Sequence, residues 1–180
     1  MPHFLNTRRQ FITALAACSW LPRAQAEPNL LLAQTAPTGI DPAGYLVSEK
    51  YDGVRAVWDG RTLRFRSEPP IAAPAEFVAR LPAVPLDGEL WLDRGRFEAL
   101  SGLVRRQRSD AAAWRQLRYM VFELPGASGS FAARAQRIAT LAQQSGWPQL
   151  LAVEQQALDS PQALQRRLDE VVAAGGEGLM

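Results

Sequence analysis

Short apolar runs that alternate with polar residues are the main pattern along the body of this 180-residue chain. The runs are rich in β-branched and aromatic residues and are separated by turn residues, which is typical of half-buried strands. Asp59-Gly60 is a strong signal for a hairpin turn between two of these strands. The pattern predicts strands at 45–49, 54–58, 62–66, 86–92, 119–124, 150–154 and 177–180.

Apolar residues at helical spacing predict helices between these strands. A short helix is expected at 74–81, and 96–118 is expected to be a mixture of helix and loop. Ser130 and Ser160 are good N-cap residues for two longer helices that follow. The strands and helices do not follow a βαβ rhythm, so the predicted fold class is α+β, with mainly antiparallel sheets and flanking helices.

The composition excludes several kinds of catalytic site. Cys18 and His3 are the only cysteine and the only histidine, and both precede the predicted fold. A body without these residues has no disulfide, no thiolate metal site and no histidine-based triad. Chemistry must therefore rely on lysine, arginine, carboxylates, hydroxyls or a metal held by oxygen atoms.

Residues 1–26 predict an export signal. Arg8-Arg9 precede an apolar stretch at 11–21, and Ala24-Gln25-Ala26 has the form of a cleavage site. The apolar stretch is too short to span a bilayer as a stable helix. The segment also resembles a twin-arginine signal, and the expected location is the periplasm. Two alternatives are lipid attachment at Cys18 and a frayed cytosolic N-terminus.

Lys50 is the only lysine, while every other basic side chain except His3 is an arginine. An arginine guanidinium stays protonated in proteins, so it cannot replace a lysine amine that has to attack an electrophile. This contrast suggests that Lys50 is a covalent nucleophile. The alternative is an ordinary exposed lysine.

Arginines are concentrated between residues 94 and 118. Guanidinium groups are frequent contacts to nucleic-acid phosphates, so this stretch could be a phosphate-binding surface. A solvated helix face in an arginine-rich protein explains the same residues equally well.

Four short motifs occur in a specific order: Glu-Lys-Tyr-Asp-Gly-Val-Arg at 49–55, Leu-Asp-Gly-Glu-Leu-Trp at 86–91, Val-Phe-Glu-Leu at 121–124 and Glu-Gly-Leu-Met at 177–180. Because it carries these motifs in this order, the chain resembles the adenylation domain of ATP-dependent DNA ligases, of the small bacterial type that is directed to the periplasm. The resemblance extends over about 29–180. It implies a covalent nucleotidyltransferase fold, similar to ATP-grasp proteins, around a nucleotide pocket in residues 27–180.

The resemblance also implies a reaction and its residues. Lys50 would attack the α-phosphate of ATP, and the lysine-bound AMP would pass to the 5′-phosphate of a DNA nick. The implied partners are ATP, Mg²⁺ and nicked double-stranded DNA, with the protein acting as a monomer. The implied nucleotide contacts are Ser48, Glu49, Arg55, Glu89 and Phe122, the implied metal ligand is Glu177, and the implied DNA contacts are Arg66, Arg105 and Arg106.

Two other functions remain open from the sequence. Related lysine-nucleotidylating enzymes, such as RNA ligases and mRNA capping enzymes, share the Lys-x-Asp-Gly signature. A non-catalytic remnant that binds nucleotide or DNA is the other alternative. In the ligase family the pattern continues with a strand that carries two lysines and with an oligonucleotide-binding barrel. Neither follows Met180 in the sequence, so the adenylation domain is expected to be incomplete and to seal nicks poorly.

Overall fold

A computed structural model of the chain describes residues 30–67 and 69–180. Its strands come from the whole length of the domain. The predicted export signal, including Cys18 and the cleavage site, lies outside these residues. In chain order the strands are β1 (Leu46–Val47), β2 (Glu49–Lys50), β3 (Val54–Trp58), β4 (Leu63–Phe65), β5 (Leu86–Trp91), β6 (Arg118–Glu123), β7 (Leu150–Ala152), β8 (Gln156–Ala157) and β9 (Gly178–Leu179).

The central sheet has five strands in the order β4-β3-β5-β6-β7. Strands β4, β3, β5 and β6 pair antiparallel, which confirms the predicted fold class. Strand β7 pairs with β6 in parallel, and the helix between them makes this a single βαβ unit that the sequence pattern did not predict. The register places Arg55 of β3 opposite Glu89 of β5.

Two small strand pairs lie outside the central sheet. Strand β1 pairs with β8, and β2 pairs with β9, both antiparallel. The second pair places Lys50 opposite Gly178, and it continues through Ser48 and Met180, whose backbone groups exchange two hydrogen bonds of 2.8 Å. Each pair therefore joins an early segment of the domain to a late one.

The helices are α1 (Ala75–Val78), α2 (Phe97–Val104), α3 (Ala111–Trp114), α4 (Phe131–Ser145) and α5 (Pro161–Ala173). The predicted stretch at 96–118 is divided because Asp110 caps α3 with a hydrogen bond from Ala113 N–H. Ser130 and Ser160 cap α4 and α5 as predicted, and Gly146 ends α4 in the left-handed conformation. Among the residues that the structure describes, no helix is both long and apolar enough to cross a membrane.

The main core lies on the face of the sheet covered by α1–α4 and includes the fully buried Trp114 and Tyr119. The Tyr119 hydroxyl donates to the carbonyl oxygens of Ala56 at 2.9 Å and Leu86 at 3.2 Å. These bonds satisfy a hydroxyl that burial has removed from water. They fix β3, β5 and β6 to each other behind the face that carries the polar motif residues.

Candidate nucleotide site

A cavity of about 460 Å³ opens between the β2–β9 pair and the central sheet. The sequence motifs reach it from four separate parts of the chain. All seven residues expected to bind nucleotide or metal line this cavity: Ser48, Glu49, Lys50, Arg55, Glu89, Phe122 and Glu177. Its size is within the range of small-molecule sites.

Lys50 and Glu177 face each other at one end of the cavity. The antiparallel pairing of β2 with β9 places them close together, and the Lys50 Nζ forms an ion pair with the Glu177 Oε1. The two side chains are 46% and 38% exposed, so both remain accessible to a ligand in the cavity. The amine and a carboxylate oxygen are thus adjacent, and both are open to the cavity.

Gly53 allows the chain to cross closely over β5. A Cβ atom at this position would lie 2.3 Å from the Leu90 carbonyl oxygen and 2.6 Å from the Glu89 Cγ. No side chain fits there without movement of the β5 backbone. The glycine after Asp52 therefore holds the turn between β2 and β3 against Glu89, and it keeps Lys50 at the edge of the cavity.

Asp87 holds Arg55 in a fixed orientation. The Arg55 Nε donates to Asp87 Oδ1 at 3.0 Å, and its Nη2 donates to Asp87 Oδ2 at 2.6 Å. The Nη2 also donates to the Leu31 carbonyl oxygen at 2.8 Å. Burial raises the pKa of Asp87 although Arg55 opposes it, and the hydrogen bond to Asp87 raises the pKa of Arg55. Asp87 lies in the Asp-Gly-Glu motif, but sequence reasoning missed its role, which is to bind an arginine of the neighbouring strand.

Glu89 has an unusual protonation behaviour. Its pKa is raised to about 8, mainly by burial and also by the nearby carboxylates of Asp87, Glu177 and Asp52, while Arg55 opposes the shift. The neutral carboxyl is therefore the favoured form at pH 7 in the ligand-free cavity. A neutral carboxyl can donate one hydrogen bond and accept others. It can therefore donate a hydrogen bond to a hydroxyl group or accept one from it.

Phe122 presents an aromatic ring to the cavity. It packs on a small apolar cluster of Trp91, Met120 and Val153 and is only partly buried. The Arg55 Cζ lies 5.2 Å from the centre of the Phe122 ring. The cluster fixes a flat apolar surface that suits an aromatic base.

The Glu49 carboxylate is bound by Arg94. The Arg94 Nη2 donates to both carboxylate oxygens of Glu49, at 2.9 and 2.8 Å, and its Nε donates at 3.1 Å. Glu49 still lines the cavity, but its side chain is engaged away from any ligand. Arg94 is a second residue that sequence reasoning missed, because it appeared only as a member of the arginine-rich stretch.

An open groove of about 560 Å³ adjoins the cavity and shares Gly53 and Arg55 with it. Arg66 and Arg105, two of the expected DNA contacts, line this groove. The Arg105 guanidinium is 5.6 Å from the centre of the Phe65 ring. Arg106 does not line it; its nearest acid is Asp110, at 3.9 Å in the loop before α3. The structure therefore groups two of the three arginines and separates the third.

The donor set of the cavity fits a magnesium ion only when a ligand completes it. No group of three histidine, cysteine, aspartate or glutamate side chains suited to a metal occurs within 30–67 and 69–180. Mg²⁺ commonly binds one or two carboxylates together with water and substrate phosphates. Glu177 is accessible for such a contact, and Glu89 lies close enough to influence it electrostatically.

No protein-family profile matches the chain. A DNA ligase of Haemophilus influenzae is 30% identical over 137 residues, which cover 76% of this chain and 50% of that protein. A solved structure from a study of DNA binding by Lig E DNA ligases is 41% identical, with a TM-score of 0.73, and the match covers 78% of this chain and 55% of that one. The chain thus spans about half the length of these relatives.

More distant structures share the fold. Chlorella virus DNA ligase-adenylate has a TM-score of 0.62 at 16% identity, covering 74% of this chain and 52% of that one. The ATP-dependent DNA ligase of bacteriophage T7 in complex with ATP has a TM-score of 0.55 at 22% identity, covering 76% and 56%. By its sequence similarity to DNA ligases and by the fold that it shares with ATP-dependent ones, the chain belongs with the adenylation domains of ATP-dependent DNA ligases.

Proposed function

We propose that the chain transfers AMP from ATP to its own Lys50 and then to the 5′-phosphate of a nick in double-stranded DNA. The observation that supports this function is the convergence of a single lysine, an oriented arginine, a neutral carboxyl and an aromatic ring on one cavity. The relatives are DNA ligases, and one of them was solved with ATP.

In the first step the Lys50 Nζ attacks the α-phosphorus of ATP. A phosphorus–nitrogen bond forms, the bond to the bridging oxygen breaks, and pyrophosphate leaves with the electron pair. The amine must lose a proton in this step. The Glu177 Oε1 already accepts a hydrogen bond from Nζ, so it is placed to receive that proton.

The other groups of the cavity hold the nucleotide. The Phe122 ring would stack on the adenine, because an aromatic face suits a planar base. Glu89 would bind a ribose hydroxyl in its neutral form. Arg55, held by Asp87, would direct its remaining N–H groups towards the phosphate or ribose. Ser48 and the backbone of Glu49 would complete the wall beside Lys50.

Glu177 would hold Mg²⁺ together with the phosphates of ATP, as a carboxylate ligand in the turn just before β9. The bound ion would neutralise charge that develops on the phosphate oxygens. The contact with Lys50 occupies Oε1, so Oε2 would be the oxygen available to the ion.

The groove that adjoins the cavity would receive the DNA. Arg66 and Arg105 would contact phosphates along the strand, and the shared Arg55 would lie where the 5′-phosphate meets the adenylate. An oxygen of that phosphate attacks the AMP phosphorus, the bond to Lys50 breaks, and the amine takes up a proton again. The 3′-hydroxyl then attacks the 5′-phosphate and AMP leaves. Arg106 would contact DNA only outside the groove.

Intact-mass measurement after incubation with ATP and Mg²⁺ tests the first step. We expect one added AMP on the wild type and none on Lys50→Arg. Because the chain has a single lysine, the double variant Lys50→Arg/Arg61→Lys is a matched control that keeps one lysine at an exposed hairpin position. An adduct on either variant would refute the assignment of Lys50.

Transfer of the radiolabelled AMP to a nicked substrate tests the second step. We expect transfer to nicked duplex DNA and little to nicked duplex RNA, and variants Arg66→Gln and Arg105→Gln should slow it without slowing adduct formation. Preference for RNA would favour the RNA ligase alternative, and a wild type without any adduct would favour the non-catalytic remnant.

We also propose that the protein is exported, on the basis of the pattern in residues 1–26. N-terminal sequencing of the protein from a periplasmic fraction should begin at Glu27. A lipid-bearing start at Cys18 would instead support the lipoprotein alternative, and an intact Met1 in the cytosol would contradict export.

A further inference from the structure

We propose that Arg94 is a positioning residue for formation of the lysine adduct, because it joins strand β2 to the turn that carries Glu177. This inference rests on the proposed function of Lys50. Arg94 does not line the nucleotide cavity, so its effect must act through other residues. We call the group of Arg94, Glu49 and Ala174 the Arg94 clamp.

The clamp connects the segment that carries Lys50 with the segment that carries Glu177. On one side Arg94 makes three hydrogen bonds of 2.8–3.1 Å to the carboxylate of Glu49, the residue before Lys50. On the other side its Nη1 donates to the carbonyl oxygen of Ala174 at 3.3 Å, at the C-terminal end of α5. Only Gly175 and Gly176 separate that carbonyl from Glu177.

The two glycines between Ala174 and Glu177 fit this arrangement. Gly175 has φ of +82°, and a Cβ there would lie 3.9 Å from the Arg94 Cδ. A Cβ on Gly176 would lie 3.0 Å from the Glu49 Oε1 and 2.5 Å from the Val171 Cγ1. The turn from α5 to β9 therefore passes directly against the Glu49 carboxylate, and no larger residue fits between them.

Without the clamp, the contact between Lys50 and Glu177 depends on a very short ladder. Strands β2 and β9 have two residues each, and isolated two-stranded pairs have little stability of their own. The Glu49 side chain is 11% exposed and that of Arg94 is 35% exposed, so their interaction is partly shielded from water. The clamp thus adds side-chain bonds to the backbone bonds of Ser48 and Met180 in holding β2 against the α5–β9 turn.

Arginine is required because the clamp uses three nitrogen atoms in different directions. Nε and Nη2 bind the carboxylate, while Nη1 reaches the carbonyl oxygen. A lysine ammonium is a single point charge and cannot reproduce this fork. We therefore expect Arg94→Lys to behave much more like Arg94→Gln than like the wild type.

The test compares Arg94→Gln with Arg96→Gln, a neighbouring exposed arginine with no side-chain hydrogen bond among the described contacts. The two measurements are the rate of adduct formation at saturating ATP and the affinity for ATP, both made on folded monomer. For Arg94→Gln we expect the saturating rate to fall about 10- to 100-fold, because misplacement of about 1 Å has an effect of that size. ATP affinity should change less than about threefold, and Arg96→Gln should match the wild type.

Coupling between the two clamp side chains provides a second criterion. Glu49→Gln should reduce the saturating rate by a similar factor, and the double variant Glu49→Gln/Arg94→Gln should be no slower than the slower single variant. Additive losses would contradict the clamp. An unchanged rate in Arg94→Gln, or a loss explained by a smaller folded fraction, would also overturn the proposal.

Amide hydrogen exchange separates failure of the clamp from failure of the proposed function. If the wild type forms no adduct, the proposed function fails, but the clamp can still be judged. We then expect the amides of β2 and β9 to exchange at least about tenfold faster in Arg94→Gln than in the wild type, with β5 unchanged as an internal reference. Equal exchange in β2 and β9 would refute the clamp.

Discussion

Replacement of Glu89 by glutamine should change how the stability of the protein depends on pH. The carboxyl of Glu89 has a pKa of about 8 in the folded chain, mainly because it is buried, against 4.5 when it is free. The folded state therefore binds one more proton than the unfolded state between these values. Stability from this group is fully present below about pH 4.5 and is lost as the pH rises through about 8.

The size of the effect follows from the same two pKa values. Each pH unit between them reduces the free energy of unfolding by up to about 1.4 kcal/mol. Between pH 6 and pH 9 the loss is up to about 2.7 kcal/mol, and water in the open cavity should reduce it to about 1–2 kcal/mol. Glutamine has no proton to lose, so Glu89→Gln should not show this loss.

Urea denaturation of ligand-free protein at pH 6, 7, 8 and 9 measures the difference. The free energy of unfolding of Glu89→Gln relative to wild type should rise by about 1–2 kcal/mol from pH 6 to pH 9. Glu98→Gln, at an exposed position in the first turn of α2, is the matched control and should stay parallel to the wild type. Parallel curves for Glu89→Gln and wild type would show that Glu89 ionises normally and would refute the reasoning.

Three further substitutions test buried hydrogen bonds and ion pairs of the fold. Asp87→Asn should reduce the free energy of unfolding by about 3 kcal/mol in urea denaturation, because Arg55 loses the charged partner of its fork; a loss below about 0.5 kcal/mol would contradict a buried ion pair. Tyr119→Phe should cost about 1–2 kcal/mol in the same assay, because two carbonyl oxygens in the sheet lose a buried donor. Burial alone would raise the pKa of Glu123, but its hydrogen bonds to Arg134 and to a backbone N–H lower it overall. Its contribution to stability is therefore present above about pH 4.5, the pKa of a free glutamate, and is lost as the pH falls further. In acid titrations followed by circular dichroism, Glu123→Gln should therefore be less stable than wild type at pH 7 and should approach it near pH 3.

Local patterns in the sequence were sufficient to predict strands that have one apolar and one more polar face. Strands β3, β5 and β6 have the predicted positions within about two residues, because alternation and turn residues define them locally. The parallel pairing of β7 with β6 was not predictable in this way, since it depends on how α4 packs back on the sheet. Strand β8 was also missed, because a two-residue strand exists only through its partner β1.

The candidate site divides in the same manner. The motif residues were predicted from the order of four short motifs along the chain, and the fold then brings them to one cavity. The partners that orient them were not predicted, because they are distant in the sequence. Asp87 is 32 residues from Arg55, and Arg94 is 45 residues from Glu49. Arg106 was grouped with Arg105 by sequence proximity, whereas consecutive residues at the end of α2 point to different surroundings.

The pairing of β2 with β9 has a consequence for the order in which the domain folds. The contact between Lys50 and Glu177 closes a loop of 127 residues, and closing a flexible loop of that length costs about 4 kcal/mol of chain entropy before any stabilising contact forms. The hairpins of the central sheet close much smaller loops and should form earlier. Lys50 therefore gains its partner Glu177 only after nearly all of the described chain has been synthesised and the sheet has formed. Under the proposed function, a nascent or partly folded chain would have the sheet without the reactive site, and its single lysine would not yet be placed to react with ATP.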